Sequence, residues 1–504
     1  MLFEQNKNID CVLFYTTIET GGLMSIVLVV FLLYLVGMVI VGIITARLAS
    51  KSLDNFILGG KKMWTPVIAL SEKGTDMSAW LLIGLPGQAF KMGLGALWAG
   101  IGVWLGSLFN WLVIATPLRR LTGKYNALTL PDYFESRFDD TTHLLRITSS
   151  ILIVFFFTLY VSAQVVGAGK ILASTFDIHH VVGMIIGLGI ILFYTMMGGF
   201  IAESWTDFFQ GLIMVVALTL MSIVGIISLG GLGNIAAKIG SIDPKAVMLS
   251  AGESGTALYL GLILGGLAIG FGYAGQPHIV MRYMALKSEK EVKKAAIIAM
   301  TWTTFAVAGA IFLGFFAIPF LRGEIADPEY VTLTFAAKIL PGWLVGFILA
   351  AATAAMMSTV DSQLLVATSA ITEDIYRKII NPDAQQQHLV RLARIFTAVV
   401  AVIAFILGLR AERLVYWLVL YAWGGLAASF GPPLILSLLW KRTTKMGVFA
   451  GMIVGAVTIV VWYNVPVLKE FLYELVPGFF FSLLATWLVS LFTQKPKVPK
   501  HLNA

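Results

Sequence analysis

Charge is scarce in this 504-residue sequence: Asp, Glu, Lys and Arg make up 12% of it, against about 25% in an ordinary soluble chain. Hydrophobic residues reach 58%, which excludes a soluble globular protein and points to a polytopic membrane protein. Cysteine is nearly absent, and the single Cys11 rules out an intramolecular disulfide and any cysteine-built metal cage. The six histidines form no H-E-x-x-H pair. There is no phosphate-binding P-loop and no G-x-S-x-G elbow, so hydrolase and ATPase chemistry lack their residues. Gly270, Gly272 and Gly275 spell G-x-G-x-x-G, but inside an apolar run with no strand before them. They read as helix breakers, not as a dinucleotide loop. No long Pro/Ser-rich linker interrupts the chain, so it reads as one membrane domain without a soluble module.

What the sequence does have is apolar runs of about 20 residues, each long enough to cross a ~30 Å hydrocarbon core as a helix. Thirteen begin near Leu23, Trp64, Leu94, Ile147, His180, Trp205, Gly255, Ala295, Pro341, Val390, Leu414, Met446 and Leu472. Threading them with the N-terminus outside and the C-terminus in the cytoplasm places most of the 35 Lys and Arg residues on the inner side, as the positive-inside rule requires. The net charge of +8 then needs no nucleic acid. Clusters such as "MRYMALKSEKEVKK" (Met281 to Lys294) read as membrane-edge residues facing anionic lipid. Residues 1 to 22 hold Glu4, Asp10 and Glu19 and no basic leader segment, and Met24, where the first span opens, is the expected start.

Two spans are interrupted by polar and helix-breaking residues: "SEKGTDMSAWLLIGLPG" (Ser71 to Gly87) in the second and "GLAIGFGYAGQPH" (Gly266 to His278) in the seventh. They lie five spans apart. Because five is odd, the two cross in opposite senses, which predicts an inverted repeat: residues 64–229 (spans 2–6) against 255–440 (spans 7–11). Residues 1–63 and 446–504 would be peripheral. This is the pattern of a transporter whose broken helices expose carbonyls and half-helix ends at the midplane.

The first interruption carries Glu72, Lys73 and Asp76, and each charge at a bilayer centre costs about 2.5 to 3.5 kcal/mol on insertion scales. On an unbroken helix Glu72 and Asp76 repel at i, i+4, whereas Lys73 and Asp76 can pair at i, i+3. Gly74 would permit unwinding between them. The cluster is then either a self-compensated set that locks helix packing or a contact for solute or ion. A second constellation lies in "AAATAAMMSTVDSQLLVATSAITEDIY" (Ala350 to Tyr376). Ser358 and Thr359 could simply bond back to their own helix, but facing a broken span they offer hard oxygen ligands for a small cation. His278, following Pro277, reads as a packing residue near the cytoplasmic end.

The runs "DMSAWLLIGLPG" (Asp76 to Gly87), "NALTLPDYF" (Asn126 to Phe134), "SWTDFFQ" (Ser204 to Gln210), "GYAGQPHI" (Gly272 to Ile279), "MMSTVDSQLLVATSAITEDIY" (Met356 to Tyr376) and "YAWGGLAASFGPP" (Tyr421 to Pro433) resemble the sodium:solute symporters, most closely the bacterial sodium/proline symporters. The resemblance spans nearly the whole chain. It implies an all-α polytopic protein with a five-plus-five inverted-repeat core of the leucine-transporter type. It also implies residence in the cell membrane and secondary transport, not enzymatic activity. The expected solute is proline or a related small amino acid. Sodium is the coupling ion, with no other cofactor or metal and no partner beyond solute, sodium and membrane lipid.

Carried over by residue, the resemblance implies a sodium site of the Gly74, Met77 and Ala355 carbonyls with the Ser358 and Thr359 hydroxyls. Asp76 would be sodium-linked, and Trp80, Tyr160 and Tyr273 would line the solute pocket, with Pro277 shaping the broken helix. Three departures stand out: Glu72 and Lys73 occupy positions where proline carriers have small residues, Gln164 replaces a Gly, and Ile269 replaces a Trp. Gln164 and Ile269 are therefore pocket candidates that enlarge and polarise it. Another amino acid, a carboxylate or a sugar is the alternative solute, and an uncoupled channel or membrane sensor the alternative class.

Overall fold

The computed structural model describes residues 21–49, 58–61, 63–410 and 414–494; Cys11 lies outside them. The described residues are helical throughout, without a strand. In chain order the helices are α1 (Gly21–Ala49), α2 (Thr65–Asp76), α3 (Leu85–Met92), α4 (Leu97–Phe109), α5 (Ala115–Lys124), α6 (Leu130–Phe138), α7 (Leu144–Phe176), α8 (His180–Ser228) and α9 (Leu232–Ile242). They continue as α10 (Gly265–Ala268), α11 (Pro277–Ala285), α12 (Val292–Leu321), α13 (Val331–Ile339), α14 (Gly342–Ser369), α15 (Gln386–Leu409), α16 (Val415–Leu439), α17 (Lys445–Asn464), α18 (Pro466–Phe471) and α19 (Leu475–Phe492).

Among the described residues eleven helical stretches are long and apolar enough to cross a membrane, so the chain is a multi-pass membrane protein. Two of the thirteen apolar runs do not qualify as continuous spans of their own, for different reasons. The run at Trp64 is charged and breaks after Asp76, its second half continuing as a π-helical turn at Trp80–Gly84 into α3. The run at His180 is a shorter apolar helix, His180–Phe193. It joins the next arm through Gly199 at φ 58°, ψ −175°, a conformation reserved for glycine.

Burial separates centre from periphery. The most apolar window of Gly342–Ile380 is 83% buried, whereas those of Ser25–Thr45 and Gln387–Leu409 are 28% buried and turn the rest of their side chains outward. The inner helices can approach closely because glycines face each other. A Cβ on Gly106 would stand 2.3 Å from the carbonyl oxygen of Gly270, so α4 packs directly on the second broken segment. That segment tightens to a 3-10 helix over Ile269–Gly275 and becomes extended at Gln276. It restarts with Pro277 in the first turn of α11, where a missing N–H costs nothing.

Candidate functional site

The first break lies at Met77–Ser78, where Met77 leaves helical geometry at φ −93°, ψ 82°. This corrects the expectation that Gly74 unwinds, since α2 runs unbroken through it. Gly74 is small for another reason: a Cβ there would meet the Asp207 carbonyl oxygen at 3.0 Å. In a continuous helix the N–H groups of Ser78 and Ala79 would bond the carbonyls of Gly74 and Thr75. The break frees those carbonyls, and α14 covers both. Ser358 Oγ donates to Gly74 O at 2.8 Å and Thr359 Oγ1 to Thr75 O at 3.1 Å. The same hydroxyls also reach back to Ala354 O (2.9 Å) and Ala355 O (3.0 Å). Gly74, Ala355, Ser358 and Thr359 are thus gathered into one buried set of oxygens. Met77 stands at the break itself, with its N–H bonded to Lys73 O at 3.1 Å.

The three charges of α2 are fully internal. Lys73 Nζ lies 2.9 Å from Asp76 Oδ2, 3.2 Å from Glu72 Oε1 and 2.8 Å from Ser107 Oγ, so its three donors are all engaged. The second broken helix and α11 supply the remaining partners. Tyr273 donates its hydroxyl to Asp76 at 3.0 Å and Tyr283 donates to Glu72 at 3.1 Å. Asn110, in the π-helical turn between α4 and α5, holds the Tyr273 carbonyl at 2.9 Å. The set holds two carboxylates against one ammonium, and Glu72 Oε2 is buried without a hydrogen-bond partner among the described residues.

Above the charged cluster stand the aromatic candidates. Trp80 stacks on Tyr416 with ring centroids 6.0 Å apart, and its buried Nε1 has no partner among the described residues. Tyr160 lies on α7 with its ring edge toward His278 at 6.3 Å and its hydroxyl bonded to the Ser78 side chain. One turn further along α7, Gln164 Oε1 accepts the freed Ala79 N–H at 2.9 Å. Ile269 is buried beside Trp423. The indole of Trp423 fills that neighbourhood, donating to Ile269 O at 3.1 Å and packing edge-on against Tyr273 at 5.2 Å. Pro277 begins α11 just after the extended Gln276.

Several residues escaped sequence reasoning. Arg282, within the run read as lipid-facing, is wholly buried. It pairs with Glu203 and with Asp207 at 3.2 Å, and it donates to Ser362 at 2.7 Å and to His278 O at 3.0 Å. Ser71 closes the network onto Asp207 at 2.8 Å. His278 is not at an end of the helix bundle either. It sits fully buried against Phe157, with ring centroids 5.3 Å apart. The signal for Arg282 was the charged pair Glu203 and Asp207 in an otherwise apolar stretch, which demands a cation.

Ion clusters also mark the two ends of α7. At its start, Arg146 binds Asp132 (2.7 Å), Glu135 (2.8 Å) and Asp374 (2.6 Å), tying α6 to the end of the α14 stretch. Beside it Asp140 receives Lys445 Nζ at 2.9 Å. Burial would push the Asp140 carboxyl up, but Lys445, Thr142 and the backbone N–H groups of Leu145 and Thr142 outweigh it and hold the group at about 2. Toward the other end, Lys170 bridges Asp327 and Glu329, both at 2.7 Å. Glu329 in turn accepts the N–H groups of Val415 and Tyr416 at 3.0 and 2.8 Å, capping α16.

Membrane-crossing helices that carry two broken segments, with hydroxyls and carbonyls gathered at one of them, define a secondary transporter and not an enzyme. More specifically, the chain belongs to the sodium:solute symporter family, whose model matches residues 56–455. It is 43% identical over 451 residues to the high-affinity proline transporter PutP of Bacillus subtilis (strain 168), covering 89% of this chain and 94% of that protein. It is 40% identical over 481 residues to the sodium/proline symporter of Escherichia coli (strain K12), covering 93% of each. Among solved structures, a Na+-coupled sialic acid symporter in a substrate-bound outward-open state superposes with a TM-score of 0.75 at 19% identity, over 93% of this chain and 98% of that one. A nucleobase-cation-symport-1 family transporter in a closed conformation gives 0.53 at 13% identity, over 86% and 94%. The fold is accordingly all-α and polytopic with a leucine-transporter-type inverted-repeat core.

Proposed function

We propose that this protein imports proline across the cell membrane, driven by inward sodium flow and operating by alternating access around the first helix break. The observation that carries the reading is the pairing of α14 with the severed end of α2: Ser358 and Thr359 lie on the freed Gly74 and Thr75 carbonyls at 2.8 and 3.1 Å. Hydroxyl and carbonyl oxygens so placed can exchange their mutual hydrogen bonds for a small monovalent cation. Gly74, Met77, Ala355, Ser358 and Thr359 form the sodium site in this reading, with Asp76 linking it to the second broken helix through Tyr273. Trp80, Tyr160 and Tyr273 line the solute site. The relatives named above as proline transporters support proline as the solute. Thirteen spans are assigned, with the N-terminus outside and the C-terminus in the cytoplasm, and residues 64–229 and 255–440 are the two repeats.

Purified protein in sealed proteoliposomes tests the proposal. An imposed inward sodium gradient is expected to drive proline above its equilibrium level inside; uptake that only equilibrates, or that ignores sodium, would refute coupling. Thr359→Ala removes one neutral ligand and is expected to raise the sodium concentration for half-maximal uptake by roughly tenfold. Ser369→Ala, further along α14, should leave it unchanged. Equal sodium dependence in the two variants would remove Thr359 from the site.

A further inference from the structure

The break in α2 severs a backbone hydrogen bond, and its two halves meet different fates. Thr75 O takes the Thr359 hydroxyl at 3.1 Å, while Ala79 N–H goes to Gln164 Oε1 at 2.9 Å. Because a backbone N–H can only donate, the amide end facing it must be the oxygen, and the orientation of the Gln164 amide follows. Its Nε2 is then left buried with no partner among the described residues. Gln164 is fully enclosed, and an unmatched buried donor carries a desolvation penalty that a native site rarely tolerates without use.

Position says what the use is. Tyr160 and Gln164 share one face of α7 at i, i+4, and Gly167 on the same side brings α7 close enough that a Cβ would stand 3.1 Å from that of Ala79. The free amide N–H therefore sits between α7 and the break; Trp80, next in sequence to Ala79, has an Nε1 that is likewise without a partner among the described residues. Asp76, the carboxylate on the broken segment, has its Oδ2 engaged by Lys73 at 2.9 Å and Tyr273 at 3.0 Å. The unmatched Gln164 donor calls for an acceptor, and an anionic one gains the most from it.

Resting on the reading that solute binds at this break, we propose that Gln164 is a solute-selecting residue. Its amide oxygen holds the broken helix at Ala79, and its amide N–H donates to the carboxylate of the transported solute. A binding assay at saturating sodium, using the protein in lipid with L-proline and L-prolinamide as competing probes, separates the two roles. Gln164→Met keeps the volume and removes both bonds. It is expected to weaken proline binding about 10- to 100-fold while changing prolinamide binding little. Gln164→Glu retains an oxygen for Ala79 N–H but sets a negative charge against the carboxylate. It is expected to reverse the preference toward prolinamide while keeping the sodium-dependent thermal stabilisation of the unsubstituted protein. Equal losses for both probes in both variants, or unchanged selectivity in Gln164→Glu, would overturn the inference alone. Failure of the unsubstituted protein to bind proline would overturn the functional reading first, and this inference with it.

Discussion

At the scale of single residues, one costly feature of the chain is the buried set Glu72, Lys73 and Asp76. Lys73 spends its three donors on Glu72, Asp76 and Ser107, which leaves none for a solute; the geometry is that of an internal ion pair. The distinction is measurable. Removing one member of a buried pair strands a charge and costs about 3 to 5 kcal/mol, whereas neutralising both can be nearly neutral. Lys73→Ala strands both carboxylates and is expected to lower thermal stability in detergent and abolish uptake, whereas Glu72→Ala leaves the Lys73–Asp76 pair intact at 2.9 Å and should cost less stability. The double variant leaves Asp76 with Tyr273 as its remaining partner and should recover stability only in part relative to Lys73→Ala. A double variant that is stable yet binds no proline would instead make Glu72 or Lys73 a direct contact. The same residues show where sequence reading reached its limit. The Lys73–Asp76 pairing was legible from i, i+3 spacing, and the need to relieve Glu72 was legible from its burial. Lys73 as a neutralising neighbour was legible too, but the Tyr283 hydroxyl was not, because Tyr283 lies 211 positions away. Gly74 was misread because a glycine demanded by a neighbour's backbone looks, in sequence, like one demanded by an unwound helix.

At the scale of elements, the two breaks were visible as runs of Ser, Asp, Gly and Pro in apolar segments, and both occur within the runs quoted for them. Their exact points were less visible, since a helix stops where tertiary partners take over its hydrogen bonds, and those partners lie in α7 and α14. Arg282 illustrates the same limit. A basic residue near an apolar run reads as lipid-facing until Glu203 and Asp207, 79 and 75 positions away, are brought against it. Coupling between the breaks runs through packing as much as charge. Tyr273 reaches Asp76 only because the 3-10 segment lies flat on α4, where Gly106 admits the Gly270 backbone. Gly106→Val is therefore expected to cost about 1 to 3 kcal/mol through overpacking, read as a lowered unfolding temperature. It should also weaken proline affinity by displacing Tyr273. An unchanged affinity in a destabilised variant would show that the Tyr273–Asp76 contact is structural only.

At the scale of the whole molecule, contacts sort the helix ends into two rims. One gathers Arg119 on the Leu286 carbonyl, Arg120 on Glu289, Arg146 on Asp374 and Lys445 on Asp140. The other gathers Phe90 and Asp243 on Arg322, Leu94 on the Ala246 carbonyl, and Lys170 on Asp327 and Glu329. The first rim also carries the exposed Lys124, Lys290 and Lys441; the second is richer in carboxylates relative to its basic residues. Lys and Arg in short loops are retained on the cytoplasmic side during insertion, so the first rim is expected to face the cytoplasm. After replacing Cys11 with Ser, single cysteines at positions 124, 290 and 441 should resist a membrane-impermeant maleimide applied to intact cells and react once the membrane is opened. Cysteines at the exposed Lys238 and Glu253 of the second rim should react from outside at once. The opposite pattern would invert the orientation, leaving the helix pairing intact but turning the proposed proline importer to face the other way.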